Sequence, residues 1–393
     1  MQKTNWLILA TKDRGIDYGV GTFIKQLSQG LVKKKSINVF ILEIGCSNSK
    51  IFNIKRHEGI TFFEIPSVER TDGIDSTKNQ NKIAQCIARV VLQYIPEHIA
   101  TIVHMNFIFQ YFIALEFKKV LNCHVIFTQH VFLLEEKTTT KFFDTEFETY
   151  KMVDHIATVT RHGKDHLINK GVNENKIEVI YNGIDPRHFE LKQYEYIKVK
   201  YGFFKNEKII FYSGRIDPIK GLNYLSSAFI LLLKKYPDCR LVIAGNGNFE
   251  SLIKSTKYFS ANISFLGFIP FEDVVALYKV SDIGVIPSLE EHCSYVALEM
   301  LHCGLPVVAS KLGGLKEIFI HNKNALLVDT EPNQSNIYGI SPLVDQLANK
   351  MYELLDDDKL RIKFSKNAII RANKEFTLNR MIDNYITIIT NFN

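Results

Sequence analysis

Short apolar runs alternate with longer segments of helical period along this chain, and the alternation stops once and then restarts. Trp6 to Ala10, Asn38 to Glu43, Thr61 to Ile65, Thr101 to His104 and His124 to Thr128 read as strands, with helical patterns around Gly21 to Leu31, Lys82 to Ile95 and Phe109 to Val120. Strand, helix, strand in that order argues for a parallel sheet covered on both faces. Asp154 to Val159, a helix near Lys164 to Lys170 and the strand Ile177 to Ile180 complete this half. The turn-rich cluster Asn182-Gly183-Ile184-Asp185-Pro186 then breaks the pattern. Lys208 to Ser213, Arg240 to Ala244, Ile263 to Leu266, Ile283 to Ile286, Val307 to Ala309 and Ala325 to Val328 restart it, with helices at Leu222 to Tyr236 and Phe271 to Val280 among them. At 393 residues the chain is too long for one ordinary core. The sequence therefore predicts an α/β protein of two doubly wound, Rossmann-like domains, 1–190 and 191–377, followed by a last helix in 378–393. Such sheets bind ligands beyond the carboxyl ends of their strands, so a cleft between facing domains is expected.

Composition narrows the partners. Hydrophobic residues are 46% and charged residues 23%, an ordinary globular balance. The net charge of +6, from 48 Lys and Arg against 42 Asp and Glu, is spread along the chain. It suits anionic small substrates or a weak membrane-surface contact better than a nucleic-acid groove. The six cysteines form no C-x-x-C pair and no Cys/His zinc spacing, and read as reduced, mostly buried thiols. Met1 is followed by polar residues and a strand, and no run of 18 uncharged apolar residues occurs. A cytoplasmic location is expected, free or at the inner membrane face.

The chemistry concentrates in Pro287 to Pro306. An apolar strand ends at Pro287, and Tyr295 to Leu301 carries helix-forming residues with Val296, Leu298 and Leu301 apolar. A helix is expected to begin near Ser294. Unbonded N–H groups and the positive end of the macrodipole make such a start a seat for a diphosphate. Glu291 stands just before it and Glu299 more than a turn inside, so one acid can meet a sugar and the other a ribose diol. Phe211 to Gly221 is a strand ending at Gly214, then a loop holding Arg215 and Lys220. Glycine permits close backbone approach, the planar guanidinium can bridge two phosphate oxygens, and the lysine adds a point charge.

The frame Pro-Ser-x-Glu-Glu-x-x-Ser-x-x-x-x-Glu-Met-x-x-x-Gly-x-Pro-Val-Val resembles the signature of the large retaining glycosyltransferase family numbered four, whose members have the GT-B architecture. Gly214 to Gly221 is similar to that family's G-R-x-x-x-x-K-G block, and Ala244 to Gly247 to its A-G-x-G. The resemblance runs from about Thr4 to the last helix. It implies that Glu291 hydrogen-bonds hydroxyls of the transferred sugar, that Ser294, Tyr295 and Val296 offer main-chain N–H groups to the phosphates, and that Glu299 holds the ribose. It also implies a base contact from the backbone at Ile269; Phe268, read as a residue by itself, is expected in the core. Gly19 and Gly21 resemble the glycine pair that approaches donor phosphate and acceptor, and His130, at the end of an apolar strand in Thr128-Gln129-His130, matches the family's cleft histidine. His104, ending the preceding strand, is expected to line the acceptor side, and Glu135 to Tyr150 to shape its entrance. Asn182 to Asp185 resembles N-G-[IV]-D and reads as hinge and cap. In relatives the last helix crosses back onto the first domain. Most carry glycine where Ser294 stands and an aromatic where Cys293 stands, which leaves the sugar open.

Two signals compete. Asp356-Asp357-Asp358 satisfies the Asp-x-Asp pattern of metal-dependent transferases, yet it falls between helical runs, where acids cap a helix start. His292 and Cys293 are adjacent, which is poor ligand geometry. The expectation is thus a hexosyltransferase-type enzyme without metal or other cofactor, moving a sugar from a UDP- or GDP-linked donor to an acceptor hydroxyl on a glycan, lipid-linked sugar, peptide or small molecule. The catalytic residues are His130, Glu291, Arg215 and Lys220. A non-catalytic GT-B scaffold subunit and a nucleotide-sugar epimerase are the alternatives.

Overall fold

The computed structural model describes residues 3–11, 19–46, 51–66, 77–121, 123–131, 140–330 and 342–390. The chain forms two compact units, Met1–Asn182 with Leu378–Asn393, and Gly183–Thr377. The division falls within the Asn182 to Pro186 turn cluster, eight residues before the expected one.

The first unit is built on eight strands: β1 (Thr4–Thr11), β2 (Ile37–Cys46), β3 (Asn53–His57), β4 (Ile60–Pro66), β5 (Ala100–Met105), β6 (Cys123–Gln129), β7 (His155–Thr158) and β8 (Ile177–Val179). Their spatial order is β3-β4-β2-β1-β5-β6-β7-β8. Every pairing is parallel except the β3–β4 hairpin. The central strands read as continuous apolar runs because both faces are covered. Leu7, Leu9, Val103, Met105, Val125 and Phe127 pack on one side with Ala84, Ile87 and Phe117 of the helices Thr77–Val91 and Tyr111–Val120.

The opposite face carries a polar chain. Trp6 Nε1 donates to His104 Nδ1 at 3.3 Å, His104 Nε2 lies 2.7 Å from Thr128 Oγ1, and Thr128 Oγ1 lies 2.8 Å from the Tyr385 hydroxyl. An indole N–H only donates, so the His104 proton resides on Nε2 and points to Thr128. Burial, aided by the nearby His130, lowers the His104 pKa to about 3, which keeps the ring neutral. His104 is fully buried and therefore does not line an acceptor surface as expected; its ring is consumed in fastening β1, β5 and β6 to the last helix, Leu378–Thr390. That helix lies so close to Gly19–Val32 that a Cβ on Gly30 would stand 2.4 Å from Ile382 Cγ1.

The second unit has six strands: β9 (Ile209–Ser213), β10 (Arg240–Ala244), β11 (Ile263–Gly267), β12 (Ile283–Ile286), β13 (Val307–Ser310) and β14 (Ala325–Val328). All are parallel, in the order β11-β10-β9-β12-β13-β14. Counted within the unit this is 3-2-1-4-5-6, the Rossmann order, whose topological switch point lies between β9 and β12. Leu225, Phe229 and Leu232 of the helix Leu222–Leu233 cover one face together with Leu347, Met351 and Leu354 of Pro342–Asp356. Asp357 accepts from Leu360 N at 2.8 Å and caps the helix Asp358–Glu375, the capping role expected for the acidic triplet.

Candidate functional site

The loops that leave β9 and β12 meet at the switch point of the second unit, and together with the helix Tyr295–Cys303 they carry most of the predicted residues. Leu289 N donates to Ile219 O at 2.7 Å, binding the two loops backbone to backbone. Gly221, at φ 71°, lies against the carbonyl of Pro287, where a Cβ would come within 1.9 Å of the oxygen. The loop after β13 joins them: Gly314 N donates to Glu291 O at 3.2 Å, and a Cβ on Gly313 would lie 2.1 Å from that oxygen.

On this frame Lys220 Nζ lies 2.7 Å from Glu291 Oε2, which also accepts from Ser288 Oγ at 3.2 Å. Both side chains of the ion pair are largely buried, at 18% and 14% exposure. Arg215 is more open, 3.5 Å from Asp217 on its own loop, and its carbonyl accepts from the Tyr212 hydroxyl at 2.7 Å. Burial raises the Tyr212 pKa, Glu291 adds to the shift and Arg215 opposes it, so both charges act on one phenol. Ser294 caps the helix Tyr295–Cys303, its hydroxyl accepting from Ala297 N at 3.3 Å. This is the helix start expected from the sequence. Helix geometry gives the preceding first-turn N–H groups, those of Tyr295 and Val296, no i−4 acceptor.

Glu299 sits one turn inside, where Tyr278 donates to its Oε2 at 2.9 Å. The same hydroxyl bonds Ser213 at the end of β9, so Tyr278 couples Glu299 to the strand that launches Gly214 and Arg215. Desolvation outweighs the Tyr278 hydrogen bond and raises the Glu299 pKa from 4.5 to about 7. A carboxyl that binds its proton more tightly when folded contributes stability fully present below pH 4.5 and lost as pH rises through 7. Replacing Glu299 with Gln should therefore flatten the fall of unfolding free energy between pH 4.5 and 7, a difference of up to about 3 kcal/mol. Urea titrations at pH 5 and pH 8 check this; an equal pH slope in both proteins contradicts it.

Elsewhere in this unit Gly214 has φ 139° and Ile269 is buried at 8% exposure. Phe268, expected in the core, is 77% exposed, because Gly267 at φ 66° turns the chain out of β11. Tyr278, Ser288 and Gly313 were missed. Ser288 lies inside the quoted frame and Gly313-Gly314 is a legible breaker after an apolar strand, whereas nothing marks Tyr278 within its helix.

In the first unit His130 follows β6 and is half-buried against Phe23, ring centroids 4.6 Å apart. Its Nε2 lies 3.1 Å from Asn106 Oδ1, and Asn106 Nδ2 donates to Leu9 O at 3.0 Å. With the amide so oriented, His130 Nε2 carries a proton toward Asn106. Gly21 lines a cavity of about 390 Å³ at the carboxyl end of β1 and beside the middle of β2, with Lys25, Ser28, Glu43 and Phe62 among its walls. Gly19 opens the helix with no described atom within 4 Å of where a Cβ would stand. The rest of the Lys12 to Thr22 loop, from 12 to 18, and residues 135–139 of the expected acceptor entrance lie outside the described residues; Thr140–Met152 is a helix. None of the six cysteines is in a disulfide; Cys86 is exposed, Cys293 half-buried and the other four buried. Among the described residues no three metal-ligating side chains gather, and no helix is long and apolar enough to cross a membrane.

Known proteins share both the sequence and the fold. The model of the group 1 glycosyl transferases matches residues 193–371, and that of Glycosyltransferase Family 4 matches residues 18–188. An uncharacterized glycosyltransferase of Methanocaldococcus jannaschii is 32% identical over 50% of this chain and 52% of its own length. The D-inositol 3-phosphate glycosyltransferase of Corynebacterium kroppenstedtii is 28% identical over 56% and 50%. The chain thus spans about half the length of these curated relatives. Anabaena HepE in complex with UDP superposes with a TM-score of 0.78 at 17% identity, covering 98% of this chain and 100% of that one. Sucrose-phosphate synthase of Thermosynechococcus elongatus gives 0.78 at 17%, covering 100% and 99%. Two doubly wound units, a Rossmann-ordered second sheet and two family models that between them match most of the chain agree: the chain belongs to the group 1, family 4 glycosyltransferases of GT-B fold.

Proposed function

We propose that the chain transfers a sugar from a nucleoside-diphosphate donor, UDP- or GDP-linked, to an acceptor hydroxyl, with retention at the anomeric carbon and without a metal or other cofactor. The convergence of Lys220, Glu291 and the capped helix start at Ser294 on the β9/β12 switch point carries this reading. In it the diphosphate lies over the first-turn amides of Ser294, Tyr295 and Val296 and the glycine of Gly214, where Arg215 and Lys220 neutralise it. Glu299 accepts from the ribose hydroxyls, the backbone at Ile269 meets the base, and Glu291 holds hydroxyls of the sugar. By the family resemblance, His130 is assigned to the sugar, and Gly19 and Gly21 to donor phosphate and acceptor. Complexes of HepE with UDP and with UDP-glucose favour a uridine donor.

The anomeric C–O bond to the β-phosphate breaks as the acceptor oxygen bonds to the same carbon on the same face. The acceptor proton passes to the departing phosphate oxygen. Cations and helix amides stabilise the charge that develops there. The acceptor is a glycan, lipid-linked sugar, peptide or small molecule. Binding to the native state raises the thermal midpoint according to affinity, so a screen of UDP- and GDP-sugars should single out one donor. Proton NMR of the product should then show the donor's anomeric configuration. No shift with any nucleoside-diphosphate sugar overturns the function, and an inverted product overturns front-face attack.

A further inference from the structure

The helix Asp358–Glu375 presents two faces of different chemistry. Phe364, Ala368 and Ala372 are buried, and Arg371 donates to Ile318 O at 2.8 Å and to Glu317 O at 2.6 Å, which fixes the inward side. Lys359, Ile362, Lys363, Lys366, Ile370 and Lys374 follow at i, i+3, i+4, i+7, i+11 and i+15 and share the outward side. All six are exposed, Ile362 at 57% and Ile370 at 65%, and none is acidic. Lys374 is balanced by Glu375 at 3.8 Å, while Lys359, Lys363 and Lys366 make no ion pair among the described residues. The patch continues into the adjoining loop, where Asn367 holds the carbonyl of Lys323 at 2.7 Å and Ile320 is 36% exposed.

We infer that this face docks on an anionic lipid surface. Lysines and isoleucines interleave rather than segregate. An anionic bilayer surface takes both, ammonium groups at the headgroups and branched side chains at the acyl boundary, with the lysine stems lying along apolar surface between them. An acidic protein would use the three uncompensated charges but has no call for two aliphatic side chains standing between them. The inference is independent of the transfer reaction, since none of these residues belongs to the site at the β9/β12 switch point.

Co-sedimentation of the full chain with vesicles tests it. Binding is expected to vesicles of phosphatidylglycerol and phosphatidylcholine and not to phosphatidylcholine alone. Changing Lys359, Lys363 and Lys366 together to Gln should weaken partitioning roughly 100-fold, each lysine near an anionic surface contributing about fivefold. Ile362→Ser with Ile370→Ser should also weaken binding and leave a remainder that 0.5 M salt abolishes, as expected of charge alone. These side chains are exposed, and an unchanged thermal midpoint establishes that the variants are folded. Failure of the wild type to bind anionic vesicles overturns the inference, as does equal binding by the lysine variant. Binding to polyglutamate without binding to vesicles overturns it in favour of an acidic protein partner.

Discussion

Lys220→Ala is expected to lower kcat for sugar transfer by about 10²- to 10³-fold, the loss typical of removing one preorganised group from developing charge. Lys220 sits at the end of the loop after β9 and is held by Glu291 at 2.7 Å, at only 18% exposure. Its ammonium is therefore fixed before any donor arrives, and little reorganisation accompanies the reaction. The charge on the leaving phosphate oxygen grows as the glycosidic bond stretches. The interaction is consequently worth more in the transition state than in the bound donor, and kcat should fall more than KM rises. Stability should fall as well, by about 1 to 3 kcal/mol, because Glu291, at 14% exposure, then keeps only the Ser288 hydroxyl as partner. Lys220→Arg retains the charge in a different shape and should recover part of the rate. A rate equal to wild type in Lys220→Ala would make the pair structural only.

Gly221→Ala is expected to cost the second unit at least about 3 kcal/mol, more than most single substitutions. Two costs combine. At φ 71° an alanine pays about 1 kcal/mol for the left-handed conformation. Its Cβ would also lie 1.9 Å from Pro287 O and 2.9 Å from Pro287 C, so one of the two loops must move. That movement separates Lys220 from Glu291 and misplaces the start of the helix at Ser294, so activity should fall with stability. For a unit of this size the thermal midpoint drops by roughly 6–12 °C. Gly202 supplies the control: its φ is 70°, with no described atom within 4 Å of a Cβ. Gly202→Ala should cost only the conformational part, about 1 kcal/mol. Equal losses in the two variants would refute the close approach of the loops.

Much of this architecture was written in the hydrophobic pattern. Buried parallel strands are apolar throughout, so β10, β12 and β14 were read to the residue. The strand β3 was missed because it is an edge. Asn53, Lys55, Arg56 and His57 give no apolar period, and its order comes from backbone pairing with β4 and from Lys55 and Asn53 on Glu64, at 2.7 and 3.0 Å. The helix Thr140–Met152 was missed for the opposite reason: its buried side is polar. Glu146 and Thr149 are buried, with Tyr150 bonding Glu146 and Gln129, while Phe147 is 49% exposed. In the site, the helix start at Ser294 was legible from its pattern, whereas Lys220 and Glu291 stood out through the family blocks that they resemble. The role of Tyr278 was not legible, because a tyrosine in the last turn of a helix acquires its meaning only when β9 and β12 come side by side. His104 misled for a related reason. A histidine at a strand end serves a ligand or a core according to which face it takes, and Trp6 and Thr128 claim both of its nitrogens.

Isothermal titration of UDP, GDP and the corresponding nucleosides into the wild type and into Arg215→Ala/Lys220→Ala tests the central claim most directly. The account predicts that one diphosphate binds at least about 100-fold more tightly than its nucleoside, two charge-assisted contacts of about 1.5 to 3 kcal/mol each being ample for that difference. The advantage should vanish in the double variant. A diphosphate that binds no better than its nucleoside, or one whose affinity survives the loss of both cations, would contradict it.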